Sequence, residues 1–222
     1  MYYSIIIPIY NEIRTLEYLL LKLKIFYKFG HEVIIIDDGS TDGSLEILEK
    51  IHFITLIKFE RNKGKGLAIK RGLEYSKNQK IIIYDGDLEL EISDISKLMI
   101  LEKKLNINSA LGIRFNNLNP IKSNFDWGNF IFTSFFNLMN KSCHKDILCC
   151  AKSFYRQDIP INKIESKGFD IDIEIMSFLT KNNGGKKINQ ILLNYSRRSI
   201  EEGKKLKISD GWIILKRLIL CL

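Results

Sequence analysis

At 222 residues, with 45% hydrophobic and 27% charged content, the chain is long enough for one domain with a buried core, and wholesale disorder is excluded. Its best apolar stretches, Phe130 to Met139 and Trp212 to Leu222, fall short of the roughly 18–20 residues that a bilayer-spanning helix needs. A formal net charge of +8 points to an anionic partner (nucleotide, nucleic acid or anionic membrane surface), and four cysteines without framework spacing fit a reducing compartment.

The N-terminus, Met1 to Pro8, lacks the basic start and cleavage site of a secretory signal and reads as a first strand. In chain order the patterns predict strand Ser4 to Ile9, helix Glu12 to Tyr27, strand Glu32 to Ile36 and helix Thr41 to Ile51. Strand Phe53 to Phe59, helix Gly66 to Ser76, strand Lys80 to Tyr84, helix Ser93 to Lys104 and strand Ser109 to Ile113 follow. This βαβ series predicts an α/β fold with a mostly parallel sheet covered by helices on both faces. The runs Ile5-Ile6-Ile7 and Ile81-Ile82-Ile83 suit strands buried on both sides.

Ligands of such sheets bind beyond the carboxyl ends of the strands. Four polar clusters fall there: Pro8-Ile9-Tyr10-Asn11-Glu12, Asp37-Asp38-Gly39-Ser40, Arg61-Asn62-Lys63-Gly64-Lys65-Gly66 and Asp85-Gly86-Asp87. Asp85 and Asp87 would project hard carboxylate oxygens suited to Mg²⁺ or Mn²⁺ bridged to a diphosphate. Alone, Asp85-Gly86-Asp87 is also a common acidic turn; the shared rim of four clusters raises the functional reading above it. Gly64-Lys65-Gly66 would let backbone approach a phosphate, or is a tight turn before a helix.

Beyond Ile113 the pattern changes. Phe125 to Met139 has few charges and many aromatics, and reads as a buried helix or one touching lipid, with the core favoured. Cys143, His144, Cys149 and Cys150 do not match zinc-ligand spacing, because two of the cysteines are adjacent. Cations concentrate late in the chain, at Lys186, Lys187, Arg197, Arg198, Lys204, Lys205, Lys207, Lys216 and Arg217. They do not interleave with stacking aromatics, and no nucleic-acid-binding motif is present, so no nucleic-acid partner is expected. Trp212 to Leu222 pairs Trp and aliphatics with two cations, as an interfacial or a docking helix would.

Taken together, Ser4-Ile5-Ile6-Ile7-Pro8-Ile9-Tyr10-Asn11-Glu12 and Ile34-Ile35-Ile36-Asp37-Asp38-Gly39-Ser40-Thr41-Asp42-Gly43-Ser44 resemble the opening of family 2 glycosyltransferases of the GT-A fold. Asn62-Lys63-Gly64-Lys65-Gly66-Leu67-Ala68 and Asp85-Gly86-Asp87-Leu88-Glu89 resemble that family's dolichyl-phosphate mannose and glucose synthase branch. Three later segments are similar to the branch more weakly: Asp146 to Arg156, where Cys150 and Ala151 replace a Gly-Phe pair, Gly168 to Glu174, and Tyr195 to Leu206. Arg114, in Leu111-Gly112-Ile113-Arg114, is the counterpart of the branch's Gly-Ser-Arg arginine.

The resemblance implies a GT-A (Rossmann-like) catalytic domain over residues 1–205; residues 206–222 read by composition as a basic amphipathic segment, membrane-interfacial or docked on the domain. The resemblance also implies an inverting transfer of a hexose from a nucleotide sugar, of the UDP-glucose or GDP-mannose type, to a polyprenyl phosphate. The enzyme would lie peripherally on the cytoplasmic face of a membrane. Asp87 would hold Mg²⁺ or Mn²⁺, with Asp85 contacting the ion or the donor ribose. Pro8, Tyr10, Glu12, Asp37 and Asp38 would hold the nucleoside, Asp37 being preferred over Asp38; helix capping is the structural alternative for both. Lys65, Arg114, Arg198, Lys204 and Lys205 would meet phosphates, as fork and point charges. A phosphate acceptor needs no general base, its second pKa being about 6. A sugar hydroxyl of a polysaccharide precursor would need one, with Asp172 or Glu174 as candidates.

Overall fold

The computed structural model describes residues 2–115, 124–182, 188–199, 205 and 210–221, without the side chains of 124 and 125. Strands β1 (Tyr3–Ile9), β2 (Glu32–Asp37), β3 (Thr55–Lys58), β4 (Lys80–Ile83), β5 (Ser109–Ile113), β6 (Lys152–Tyr155) and β7 (Asn189–Leu192) form one sheet in the order β3-β2-β1-β4-β6-β5-β7. Pairing is parallel from β3 to β4 and between β5 and β7; β6 alone runs against its neighbours. Because β6 is antiparallel to both β4 and β5, β5 and β7 run in the same direction as β1–β4. Six strands therefore end on one rim.

Helices α1 (Ile13–Lys28), α2 (Ser44–Leu48), α3 (Lys65–Tyr75), α4 (Asn124–Asn140), α5 (Ile171–Asn182) and α6 (Asp210–Leu220) complete the framework. Helix α1 buries Leu16, Leu19, Leu20, Leu23 and Phe26, the 3.6-residue stripe of a helix lying on a sheet. Leu19 lies with Ile7 and Ile9 beside Gly86, whereas Gly72 of α3 lies against Ile6 and Ile36. Neighbouring strand residues point to opposite faces, so α1 and α3 cover opposite sides of the sheet. Ile5, Ile6, Ile7, Ile34, Ile35, Ile36, Ile81, Ile82 and Ile83 are accordingly buried.

Two expectations are corrected. The helix predicted over Ser93 to Lys104 is instead two short 3-10 segments, Ile92–Leu98 and Lys103–Leu105. Ile92, Ile95, Leu98 and Leu101 are buried at every third position, in keeping with the three-residue turn. Asp94, between them, accepts hydrogen bonds from the Asn194 main chain (2.6 Å) and side chain (3.3 Å), tying the segment to the end of β7. The second correction concerns Thr41 to Ile51, where only Ser44–Leu48 is α-helical, following Gly43 in a left-handed conformation.

Candidate active site

The rim places one functional segment after each same-direction strand. Tyr10 and Glu12 follow β1, Asp38 follows β2, Lys65 lies past β3, Asp85 and Asp87 follow β4, Arg114 follows β5, and Tyr195, Arg197 and Arg198 lie past β7. Between them lies a cleft of about 810 Å³ whose lining includes Pro8, Tyr10, Glu12, Asp38, Lys65, Asp85, Asp87, Arg114 and Lys205. Asp37 does not line it. It is fully buried at the end of β2, where its carboxylate accepts the Ser40 N–H (3.0 Å), and Asp38 faces the cleft in its place. Lys204 lies outside the described residues.

The Lys63–Gly66 loop is not an open phosphate cradle. Gly64 has φ +97°, and a Cβ there would lie 2.3 Å from the Lys167 carbonyl oxygen; at Gly66 one would lie 2.4 Å from that of Ser166. These glycines pack the loop against residues 166–168, with the Gly66 N–H donating to Lys167 O (2.8 Å). Asp38 holds the other side, accepting from the Lys63 and Gly64 N–H groups at 2.7 and 2.9 Å. Burial, only partly offset by these hydrogen bonds, leaves its carboxyl above the usual range.

The loop thus aims Lys65 inward. Its ammonium lies 2.9 Å from Asp85 and 3.4 Å from Asp172, and Lys152, fully buried, adds a second ammonium 2.7 Å from Asp172. Burial alone would raise the Asp172 pKa, but Lys152 and Lys65 outweigh it and hold the carboxyl below its ordinary value. Asp172 is therefore held as an anion between the two lysines. Glu174 lies away from the cleft, accepting from the Glu165 (3.0 Å) and Ser166 (2.9 Å) N–H groups.

Asp87 differs. Burial and then the charges of Asp85 and Glu89 push its pKa up to about 7. The turn is strained, since Leu88 sits at φ +61°, a region a bulky residue rarely occupies. That conformation lets Asp87 accept the Glu89 N–H (3.0 Å) and brings both carboxylates to the cleft. Hard oxygens with mutual repulsion fit a divalent cation. Among the described residues no three His, Cys, Asp or Glu side chains converge as a complete metal cage. Such an ion would take its remaining ligands from substrate phosphate and water.

Across the cleft, Arg114 is clamped by Asp146, which accepts from its main-chain N–H (3.1 Å), Nε (2.8 Å) and Nη2 (2.8 Å). Asn129 of α4 donates to the same carboxylate (2.9 Å), and Arg197 forms a fork with Asp126 of α4. Arg198 reaches Glu12 (2.8 Å) and the Asp87 carbonyl (2.9 Å), while Lys205 pairs with Glu12 and the Tyr10 carbonyl. Residues from opposite ends of the chain therefore meet over the rim. The sequence reading did not single out Glu89, Asp126, Asn129, Lys152 or Arg197 as site residues. Glu89 carried a usable signal, two positions beyond Asp87; Asp126 and Asn129 carried another, as polar residues three apart in an apolar helix.

A sequence profile described as glycosyl transferase family 2 matches residues 4–159. The chain is 30% identical over 200 residues to a dolichyl-phosphate beta-glucosyltransferase of Dictyostelium discoideum, covering 78% of this chain and 61% of that protein. It is 36% identical over 110 residues to an undecaprenyl-phosphate 4-deoxy-4-formamido-L-arabinose transferase of Pseudomonas savastanoi pv. phaseolicola, covering 46% of this chain and 32% of that one. The chain thus spans about three fifths of the first relative's length and about a third of the second's. In fold it matches glucosyl-3-phosphoglycerate synthase from Mycobacterium tuberculosis, crystallised with Mn²⁺, UDP and glucosyl-3-phosphoglycerate. That match has a TM-score of 0.74 at 16% identity and covers 99% of this chain and 79% of that one. With the profile covering more than half of its length and this GT-A architecture, the chain belongs to glycosyl transferase family 2.

Proposed function

We propose that the protein transfers a hexose from a nucleoside diphosphate sugar to a polyprenyl phosphate at the cytoplasmic face of a membrane. The carrying observation is that both candidate bases are committed elsewhere, Asp172 to two lysines and Glu174 to backbone N–H groups, while Arg114 and Arg197 line the cleft. This is chemistry for an acceptor that arrives already anionic. The relatives named for dolichyl and undecaprenyl phosphate support the acceptor class. The beta-glucosyltransferase relative and the UDP-bound fold neighbour favour a UDP-glucose type of donor over GDP-mannose.

Pro8, Tyr10 and Asp38 wall the nucleoside, and Asp37 holds the turn behind Asp38. Asp87 is the residue that would hold Mg²⁺ or Mn²⁺, with Glu89 beside it and Asp85 largely neutralised by Lys65. When bound, the ion would supply positive charge to the departing diphosphate. Arg198 and Lys205, poised on Glu12, add to that charge, and Lys204 belongs to the same basic motif. Arg114, rigid on Asp146, orients the acceptor phosphate. One of its oxygens forms a bond to the anomeric carbon as the bond from that carbon to the diphosphate breaks, with inversion. The nucleoside diphosphate leaves, and no proton is transferred.

The test is transfer of label from UDP-glucose or GDP-mannose, with Mg²⁺ or Mn²⁺, to detergent-dispersed polyprenyl phosphate. Acid-labile label in the organic phase is the expected result. Donor turnover that labels only a hydroxyl acceptor would overturn the reading.

A further inference from the structure

Helix α4 is apolar on both sides. Its buried side carries Asp126, Asn129 and Thr133 together with Phe136, and its exposed side carries Trp127, Phe130, Ile131, Leu138 and Met139, with Ser134 among them. A helix that only covers a sheet turns its polar residues outward instead. The polar residues of the buried side are explained by the cleft, which Asp126 and Asn129 line. Among the described residues Trp127, Phe130, Ile131, Leu138 and Met139 stay exposed, and from Trp127 to Asn140 the helix has no charged residue.

Helix α6 lies beside α4. It packs on α4 and α5, buries Ile214 and Leu218, and lines the cleft with Asp210 and Ile214. Arg217 anchors it through Asp170 (3.1 Å) and Glu165 (3.2 Å). Outward it presents Trp212, Ile213, Ile219 and Leu220, with exposed Lys216 among them. The chain has two tryptophans. One stands on each of these helices, 47% and 76% exposed for Trp127 and Trp212.

We propose that the outer faces of α4 and α6 form one docking surface for the headgroup and upper acyl region of an anionic bilayer. Three observations select a bilayer. Tryptophan and a long-stemmed lysine among aliphatics are the side chains that sit at that boundary. Exposed Lys141 and Lys145 flank the C-terminal end of α4 and suit anionic headgroups. The same two helices line the cleft with their inner faces, so a lipid phosphate would pass from the membrane plane to Arg114 without crossing bulk water. By contrast, the exposed Tyr18, Leu21 and Ile25 of α1 are interleaved with Glu17, Lys22 and Lys24. The proposal rests on the lipid-phosphate reading for its purpose, but its test does not.

The test is co-sedimentation of the full chain with vesicles of phosphatidylcholine and phosphatidylglycerol containing neither donor nor polyprenyl phosphate, with brominated acyl chains to quench tryptophan. Binding with quenching is expected. Ile131→Glu with Leu138→Glu should weaken partitioning at least about tenfold, while UDP binding and the far-UV circular dichroism stay unchanged. Lys216→Glu should weaken binding to the mixed vesicles alone, not to pure phosphatidylcholine. Absence of vesicle binding, binding indifferent to these substitutions, or a dimer that the substitutions dissolve would each overturn the proposal. Vesicle binding without sugar transfer would leave this surface standing and count against the proposed acceptor instead.

Discussion

Helices α1 and α4 are of similar length and differ in what they bury. Helix α1 turns leucines inward, as expected of an element that covers a sheet, whereas α4 turns Asp126, Asn129 and Thr133 inward beside Phe136, and Trp127, Ile131 and Leu138 outward. The difference separates two regions. In the first, β1–β4 with α1 and α3, the site is made by main-chain turns at the ends of buried strands. In the second, α4, α6 and the segment after β7, it is made by ion-paired side chains on elements that also meet the surroundings. The first region suits a nucleoside diphosphate of fixed shape, and the second suits an acceptor delivered from outside.

The sharpest way to break the first half of this comparison is Asp87→Asn. Transfer should fall about 10³-fold, roughly 4 kcal/mol in barrier, with loss of Mn²⁺-dependent UDP binding by calorimetry. Full activity would remove the assignment.

Asp172→Asn tests whether the lysine-held carboxylate is structural. Two buried ammonium groups would lose their shared partner, so stability to urea should drop by about 3 kcal/mol or more. The shape of the pH profile for the residual activity should not change; loss of one limb would make Asp172 the base.

For the second region, Arg114→Lys keeps the charge but loses the fork on Asp146. We expect kcat/KM for the acceptor to fall about thirtyfold, roughly 2 kcal/mol, with the donor KM unchanged. An equal loss for the donor would move Arg114 to the other end of the cleft.

The smallest effect concerns His144, which anchors the end of α4: its N–H donates to the Asn137 side chain (2.9 Å) and its carbonyl accepts from it (2.7 Å). Burial lowers its pKa from 6.5 to about 4. The unfolded chain then binds a proton that the folded one refuses, so stability is present above about pH 6.5 and is lost as pH falls toward 4. Between about pH 7 and 5 the loss should reach up to about 2 kcal/mol, and His144→Gln should flatten it in thermal melts at varied pH.

Much of the first region was legible. Continuous isoleucine runs followed by Asp-Asp-Gly or Asp-Gly-Asp mark buried parallel strands and their functional ends without knowledge of the partners. The 3-10 segments after β4 were missed because burial at positions 92, 95 and 98 suits either period over so short a span. Strand β6 was missed because Lys152 reads as polar, although it is neutralised within the fold by Asp172. Asp37 was preferred over Asp38 for the nucleoside, whereas Asp38 is the one that lines the cleft; adjacent residues at a strand end point to opposite sides, and periodicity alone does not tell which side is open.

What the sequence determined by itself was the alternation of elements, the strand-end position of the acidic and basic clusters, and the family they resemble, because these depend on local periodicity and residue type. Only the tertiary structure decided that β6 reverses, that β5 and β7 therefore end on the same rim as β1–β4, and that Glu12 meets Arg198 and Lys205 across the length of the chain. Those outcomes depend on non-local pairing and on which face of a helix finds a partner, and charge balance over such distances is set by the folded geometry.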